Sequence, residues 1–91
     1  MLIIESTKKV NAGTKAVSVE AYCRPFLMVN TSATATVYFK EEAEDGKAVT
    51  ADNGFALLPG QTLRFPLTAR KLSILSTEAD TDVRLLFGSE G

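Results

Sequence analysis

Carboxylates are the side chains of this sequence whose clustering could support chemistry. They concentrate in two stretches, namely Glu41, Glu42, Glu44 and Asp45, and then Glu78, Asp80 and Asp82. Paired carboxylates act as acid and base in glycoside hydrolysis when they converge in a cleft, and loop carboxylates are natural ligands of calcium. A chain this small has little depth for a cleft, and neither stretch has EF-hand spacing. We interpret both as solvated loops, with calcium at Asp80 and Asp82, or at Asp45 and Asp52, as the alternative.

The sequence lacks the residues that other kinds of catalysis need. The chain has no histidine, which removes the commonest general base, the commonest metal ligand and every nucleophile that histidine would activate. One cysteine cannot supply a zinc site, and no glycine pattern for binding nucleotide phosphates occurs. The sequence therefore predicts a protein that is not an enzyme, with no catalytic residues, no cofactor and no resident metal.

Three further side chains have a structural and a functional interpretation. Cys23 is the only cysteine and cannot form an intramolecular disulfide, which fits a protein kept in reducing cytosol. Because no histidine could activate it, we expect Cys23 to be buried rather than reactive. Tyr22 and Tyr38 lie on outward phases, where they could stack on a sugar or pack across strands. The absence of tryptophan weakens the carbohydrate interpretation.

Length and charge limit the class of protein. A chain of 91 residues supports one hydrophobic core, so we predict a single domain over residues 1–91. Ten basic against eleven acidic residues give a net charge of -1, so a nucleic-acid partner is not expected. The N-terminus reaches Glu5 after few apolar residues, and no apolar stretch approaches the roughly 18 residues of a membrane span. We expect a soluble protein without a secretion signal and without a membrane partner.

Apolar and polar residues alternate with a period of two, which predicts strands separated by short turns. The expected strands are Leu2–Glu5, Ala16–Val19, Phe26–Asn30, Thr36–Lys40, Phe55–Leu58, Leu63–Leu67, Leu72–Ser76 and Val83–Phe87. This pattern is typical of an all-β protein, and we predict a single small antiparallel β-sandwich of the jelly-roll or Greek-key kind.

Turn and breaker residues fix details of this sandwich. Pro66 cannot donate a ladder hydrogen bond, so the strand that contains it should lie at a sheet edge. Pro59-Gly60 predicts a type II turn, and Asp52-Asn53-Gly54 marks another turn. The interval Lys40–Lys47 has local helix propensity, but it is short and contains Gly46, so a polar loop is expected there.

The two halves of the chain match when the second is laid on the first. Arg24 aligns with Arg70, an offset of 46 residues (70 − 24 = 46). The offset also pairs Thr31 with Thr77, Ala33 with Ala79, Val37 with Val83, Phe39 with Leu85, and Val17-Ser18-Val19 with Leu63-Arg64-Phe65. Each half would then contain three equivalent strands. A duplication would produce this match, and so would the common spacing of turns.

Strand phase predicts a core and leaves other apolar residues outside it. The expected core is Phe26 or Leu27, Val37, Phe39, Leu57, Leu63, Phe65, Leu72, Ile74, Val83, Leu85 and Phe87. With Phe26 inside, the residues that point outward are Leu27, Val29, Leu75 and Leu86. A contiguous outward patch would mark an interface, so we expect a homo-oligomer or permanent docking on another protein. The alternative is that another layer of the domain, or the Met1–Val10 segment, covers that face.

Three groups of motifs resemble a known class of proteins. They are Val29-Asn30-Thr31-Ser32 through Ala35-Thr36-Val37-Tyr38, then Val49-Thr50-Ala51-Asp52-Asn53-Gly54-Phe55-Ala56-Leu57-Leu58-Pro59-Gly60, and finally Leu72-Ser73-Ile74 with Asp82-Val83-Arg84-Leu85-Leu86. This pattern, which covers most of the chain from Phe26 onward, is similar to small proteins encoded among the structural genes of tailed bacteriophages and prophages. The resemblance implies a β-sandwich of the virion, of the head-decoration or fibre-base type, synthesised in bacterial cytoplasm.

Two functions from different classes follow. The first is a non-enzymatic structural protein of a phage or prophage particle, which self-associates or docks on other particle proteins. The second is a small β-sandwich module that binds a ligand, either a glycan or calcium. Outward apolar residues favour the first function, and a concave aromatic or acidic face would favour the second.

Overall fold

The computed structural model describes residues 2–22, 26–42, 47–65 and 70–90. These residues form eight strands: β1 Leu2–Ala12, β2 Val17–Glu20, β3 Phe26–Asn30, β4 Val37–Glu41, β5 Phe55–Leu57, β6 Thr62–Phe65, β7 Lys71–Ser76 and β8 Thr81–Glu90. No helix occurs in this part of the chain, and so none that is long and apolar enough to cross a membrane.

The strands pair into two antiparallel sheets of four strands each. Sheet A has the order β1-β8-β3-β6, and sheet B has the order β2-β7-β4-β5. Buried side chains from both sheets meet in one hydrophobic cluster, so the sheets form a sandwich. Strands that alternate between the sheets in this order make a jelly roll, which consists of two Greek keys. The prediction of a small antiparallel all-β sandwich is confirmed.

The outermost strands of the chain are longer than their apolar patterns indicate. Phe26–Asn30 is the predicted third strand and the observed β3, whereas β1 continues past Glu5 to Ala12 and β8 extends to Glu90. The extra β1 residues are mostly polar, and they form a ladder with β8 at the edge of sheet A. Charged and polar side chains are common on edge strands, so alternation alone understates their length.

The predicted core is largely the observed one. The buried members are Phe26, Val37, Phe39, Leu57, Leu72, Ile74, Val83, Leu85 and Phe87. Leu63 is partly buried against this cluster, and the side chain of Phe65 lies outside the described residues. Strand phase did not single out the small residues that complete the cluster, which include Val10, Ala12, Val19 and Ala21.

The 46-residue offset relates the two sheets to each other. Adding 46 to the residue numbers of β2, β3 and β4 places these strands on β6, β7 and β8, respectively. The strand order of sheet B therefore corresponds to that of sheet A, and β5 stands in the place of β1. The register of the pairs is also the same in both sheets. The pair Val17–Ile74 of sheet B corresponds to Leu63–Met28 of sheet A. Likewise, Val37–Ser76 of sheet B corresponds to Val83–Asn30 of sheet A. The halves are therefore equivalent in strand pairing as well as in sequence pattern, and their strands alternate within each sheet.

The turns after β3 and β7 obey the same offset, which takes Thr31 to Thr77 and Thr36 to Asp82. The Thr31 amide donates to the Asp82 carbonyl at 3.2 Å, and the Thr77 amide donates to the Thr36 carbonyl at 3.0 Å. Each turn is thus bonded to the other at equivalent atoms. Each bond continues the pairing of neighbouring strands at one end of the sandwich, β3 with β8 in sheet A and β7 with β4 in sheet B.

Buried polar side chains stand at equivalent positions before these turns. The Asn30 amide nitrogen donates toward the carbonyl oxygens of Ala35, Leu57 and Leu58 at 2.8, 3.1 and 3.2 Å, and its Oδ1 accepts from the Ser32 amide at 3.1 Å. Asn30 is fully buried, so these bonds replace those that water would make. The residue therefore ties the end of β3 to the end of β5.

Ser76, which the offset places on Asn30, makes a smaller set of bonds. Its Oγ accepts from the Glu78 amide at 3.2 Å and lies 2.6 Å from Thr81 Oγ1. Thr81 Oγ1 in turn donates to the Glu78 carbonyl at 2.9 Å. Both Ser76 and Thr81 are buried, so this second turn is closed by hydroxyl groups where the first is closed by an amide.

The turn predictions at proline and glycine are confirmed. Gly60 has φ of 73° and the Gln61 amide donates to the Leu58 carbonyl at 3.0 Å, which is the type II turn expected from Pro59-Gly60. Strand β6 lies at the edge of sheet A, as predicted, although Pro66 itself is outside the described residues. Of the interval Lys40–Lys47, residues 43–46 are also outside the described part.

Candidate interaction surface

The outer face of sheet B is covered by a segment of the chain itself. Residues 47–54, here called the strap, lie between β4 and β5. Val49 of the strap is 3% exposed yet is not part of the central core cluster. Its amide donates to the hydroxyl of Ser73 at 2.9 Å, and Ser73 points outward from β7. The strap therefore buries the outward side of sheet B at β7.

Gly54 lets the strap lie close to sheet B. A Cβ atom built on Gly54 would stand 2.5 Å from Val49 Cγ2 and 3.2 Å from Tyr38 Cβ, so no side chain fits without a shift. The turn before it is held by the Asn53 carboxamide oxygen, which accepts from the Thr50 amide at 2.8 Å. The turn predicted at Asp52-Asn53-Gly54 is thus present, and its glycine is required by close packing against Val49 and Tyr38.

The outer face of sheet A carries aliphatic side chains. Leu27 of β3 pairs directly with Leu86 of β8, and Val29 lies two residues further along β3. Ile4 pairs with Gly88, which shares the face of Leu86 by alternation. Leu27, Val29 and Leu86 are half-buried, whereas Ile4 is 40% exposed. None of the described loops places a buried side chain on this face as Val49 does on sheet B.

Basic side chains surround this aliphatic patch. Arg64 of β6 pairs with Leu27, and Arg84 of β8 pairs with both Lys9 and Val29. The guanidinium of Arg84 forms a salt bridge with Asp82, with Nη2 at 3.1 Å from Oδ2. This hydrogen bond from Arg84 lowers the pKa of Asp82, with a smaller contribution from Lys9. Cations and carboxylates therefore both lie on this face, and Arg84 and Asp82 pair with each other.

Asp80 and Asp82 do lie beside one another, together with Lys9 and Asn11 in a shallow groove. The Asp82 carboxylate is engaged by Arg84, and the Asn11 amide donates to Asp80 Oδ1 at 3.4 Å. A cation in this groove would therefore compete with Arg84 and approach Lys9. Across the described residues, no group of three or more His, Cys, Asp or Glu is placed to hold a metal. Asp45 lies outside the described residues, and Asp52 is exposed in the strap.

The two tyrosines belong to different parts of the molecule. Tyr22 follows β2, has φ of 57° and packs edge-on against Phe87 with ring centroids 5.5 Å apart. Lys8 Nζ lies 5.2 Å from the ring centroid and 3.3 Å from the hydroxyl of Tyr22. Tyr38 is half-buried on the outer face of sheet B beside Gly54. They do not form the shared sugar platform that outward phase suggested, and Cys23 lies outside the described residues.

Comparison of the chain with protein-family models, with curated proteins and with solved structures gave no match. The jelly roll is accordingly established by the strand order of this chain and not by a relative.

Strand phase alone does not distinguish four apolar residues, because it predicts that all of them point outward: Leu27, Val29, Leu75 and Leu86. The structure separates them, because Leu75 pairs with Tyr38 on the face that the strap covers. The sequence signal for this difference was Val49, the only aliphatic residue larger than alanine between Glu42 and Gly54. Within the described residues, the expected covering layer is therefore found over the outer face of sheet B.

Proposed function

We propose that this chain is a non-enzymatic structural protein of a bacteriophage or prophage particle that binds other protein copies. The observation that carries the proposal is the outer face of sheet A, where Ile4, Leu27, Val29 and Leu86 form an aliphatic patch that no described loop covers. Apolar side chains grouped on one face of a small protein are typical of protein interfaces.

The motifs that resemble phage proteins have structural roles in this molecule. Asn30 ties β3 to β5, Asn53 holds the strap, and Gly60 forms a type II turn. Residues used in this way support a scaffold protein, since their side chains are engaged in holding turns. Jelly rolls occur in viral coat proteins, which agrees with the proposal by analogy of fold, although lectins and cupins share the architecture.

The polar side chains also support a role without catalysis. Ser76 and Thr81 bond each other in a closed turn, and Asp82 bonds Arg84 on the surface. Every buried side-chain nitrogen or oxygen among the described residues has a hydrogen-bond partner. Active sites depend on polar groups kept ready for a substrate, and these groups are committed to the fold.

The proposal is tested by locating the protein in a particle. Particles are purified by density gradient from an induced culture of the strain that encodes the chain, and their proteins are identified by mass spectrometry. We expect the chain to co-sediment with capsid or tail proteins and to stay bound through a second gradient. Recovery only in the soluble fraction, with intact particles present, would refute the assignment.

A ligand-binding module is the second candidate, and the groove of Lys9, Asn11, Asp80 and Asp82 is the feature that favours it. For calcium, the measurement is thermal unfolding with calcium and with a chelator. We expect equal melting temperatures because Arg84 already occupies the Asp82 carboxylate. A ligand that binds only the folded state raises stability by about 2.7 kcal/mol at a hundredfold excess over Kd. A shift of that size would place the ligand-binding module ahead.

A further inference from the structure

We infer that Asn53 is a site of spontaneous modification, at which water converts the side-chain amide to a carboxyl group, and that the isoaspartyl form of the product releases the strap from sheet B. The inference goes beyond the proposed function and does not depend on it. It rests on the residue that follows Asn53 and on the contacts that hold the turn around it.

Asn53 is the only asparagine of the chain that is followed by glycine. The other two, Asn11 and Asn30, precede alanine and threonine. The main-chain nitrogen after an asparagine can attack the asparagine side chain and close a five-membered ring, because both groups belong to one short piece of chain. Gly54 hinders this attack least, since it has no Cβ atom. The Asn53 side chain is exposed, so water reaches it.

The reaction has two steps. In the first, the Gly54 nitrogen bonds to Cγ of Asn53 and the Cγ–Nδ2 bond breaks, so that ammonia leaves with the proton of the Gly54 amide and a succinimide remains. In the second, a water molecule adds to one of the two ring carbonyls, and the carbon–nitrogen bond at that carbonyl breaks. Opening at Cγ gives aspartate. Opening at the main-chain carbonyl gives isoaspartate, in which the main chain passes through the side chain and gains a methylene group.

Hydrogen bonds to Thr50 engage both reacting groups in the folded strap. The Gly54 amide, which is the nucleophile, donates to the Thr50 carbonyl at 3.1 Å, and the Thr50 amide donates to Asn53 Oδ1 at 2.8 Å. The second bond would stabilise the negative charge that develops on Oδ1 during attack. The first bond opposes attack, because the nitrogen must give up the proton that Thr50 holds. Attack therefore requires that Gly54 first leaves Thr50.

The packing of the strap keeps Gly54 in place. A Cβ atom on Gly54 would stand 2.5 Å from Val49 Cγ2, so this glycine has little room to move toward Val49. Val49 is itself buried, and its amide donates to the Ser73 hydroxyl at 2.9 Å. Ring closure turns the bond between Cα and the carbonyl carbon of Asn53, and this rotation displaces Gly54. A local opening of the strap must therefore precede the reaction.

The isoaspartyl product does not fit the packed strap. Its extra methylene group lies in the main chain directly before Gly54, so Gly54 cannot keep both its bond to Thr50 and its close packing against Val49. The aspartyl product keeps the length of the chain and a side-chain oxygen that can accept from the Thr50 amide. Only the isoaspartyl form should therefore release the strap and uncover Val49 and Tyr38 on the outer face of sheet B.

Peptide mapping by mass spectrometry tests the inference on the full chain, incubated at one mildly alkaline pH with and without guanidinium chloride. We expect Asn53 to gain the mass of an oxygen in place of an NH group, about tenfold or more slowly in the folded chain than in the unfolded chain, because the strap must open first. Asn11 is exposed as well and is the internal control, which should stay unmodified over the same time.

Two substitutions that loosen the strap sharpen this test. Val49→Ala and Ser73→Ala should each raise the rate at Asn53 several-fold in the folded chain and leave the rate in the unfolded chain unchanged. Val29→Ala is the matched control on sheet A and should change neither rate. Circular dichroism confirms that each variant is folded, and Ser73→Ala decides the matter if Val49→Ala is not.

Hydrogen exchange at the Val49 amide measures the release of the strap. After the two products are separated by chromatography, exchange at Val49 should be faster in the isoaspartyl form and close to that of the parent in the aspartyl form. Asn53→Asp supplies the aspartyl form independently and should exchange like the parent. Equal rates of modification in folded and unfolded chain would overturn the inference. So would an Asn53 that stays unmodified when unfolded, or an isoaspartyl form with parental exchange at Val49.

Discussion

The outer faces of the two sheets differ, although the strands beneath them are equivalent. On the outer face of sheet B, Ser73 bonds the strap and pairs with Lys40, whereas sheet A has Leu27 and Leu86 at the equivalent places with no described loop above them. The inner faces and the turns keep the equivalence, as the matched bonds of Thr31 and Thr77 show. Strand pairing therefore determines the shared core, whereas the connections between strands determine which outer face is covered.

The largest effect is expected where the two halves share the core. Phe39 and Leu85 are equivalent at the offset, and both are fully buried. Phe39→Ala should cost about 3–5 kcal/mol and Leu85→Ala about 2–5 kcal/mol of unfolding free energy, since each leaves a cavity between the sheets. Urea denaturation of both variants measures this. If one variant unfolds like the parent while the other is lost, the inner faces are not equivalent.

Substitutions of the buried polar residues that precede the two equivalent turns should differ in how much they destabilise the fold. Asn30→Ala removes the donor to three carbonyl oxygens, and Ser76→Ala removes one hydroxyl. An unsatisfied buried group costs about 1–3 kcal/mol, so Asn30→Ala should destabilise by about 2–4 kcal/mol and Ser76→Ala by about 1. Thermal unfolding compares the two. A larger loss for Ser76→Ala would show that the hydroxyl turn, and not the amide, holds this end together.

The strap can be tested without touching sheet A. Gly54→Ala forces a methyl group toward Val49 and Tyr38, and overpacking of this kind costs about 1–3 kcal/mol. Gly13→Ala is the matched control, because nothing lies within 4 Å of its Cβ position and the change should stay within about 0.5 kcal/mol. Calorimetry of both variants measures the difference. Equal stability of the two would mean that the strap is not closely packed on sheet B.

The smallest effect belongs to the surface salt bridge of sheet A. Arg84 lowers the pKa of Asp82 in the folded protein, so this carboxylate stabilises the fold above its unfolded pKa. That contribution is lost as pH falls through the lowered pKa, on the acid side of about pH 4. Because both groups are partly exposed, the gain is small. Asp82→Asn should therefore make the acid limb of a melting-temperature profile slightly shallower than in the parent, and a steeper limb would contradict this assignment.

Much of the fold follows from the sequence because the signals are local. Alternation around Val37 and Phe39 requires one side of β4 to face a core, and Pro59-Gly60 requires a type II turn. The 46-residue offset likewise reports the equivalence of the halves, since it compares positions along the chain alone. These features depend on backbone geometry and on side-chain period, which neighbouring residues largely determine.

The candidate surface depended on tertiary structure. Leu75 and Leu86 are both outward leucines on central strands, and the alternation within their own strands does not separate them. The strap over sheet B separates them, because Gly54 lets it approach Tyr38 and the Ser73 hydroxyl accepts the Val49 amide. The pairing of Leu27 with Leu86 likewise requires β3 to lie beside β8, which are far apart in the chain. Such contacts arise from long-range packing, and a periodic pattern cannot specify which strands become neighbours.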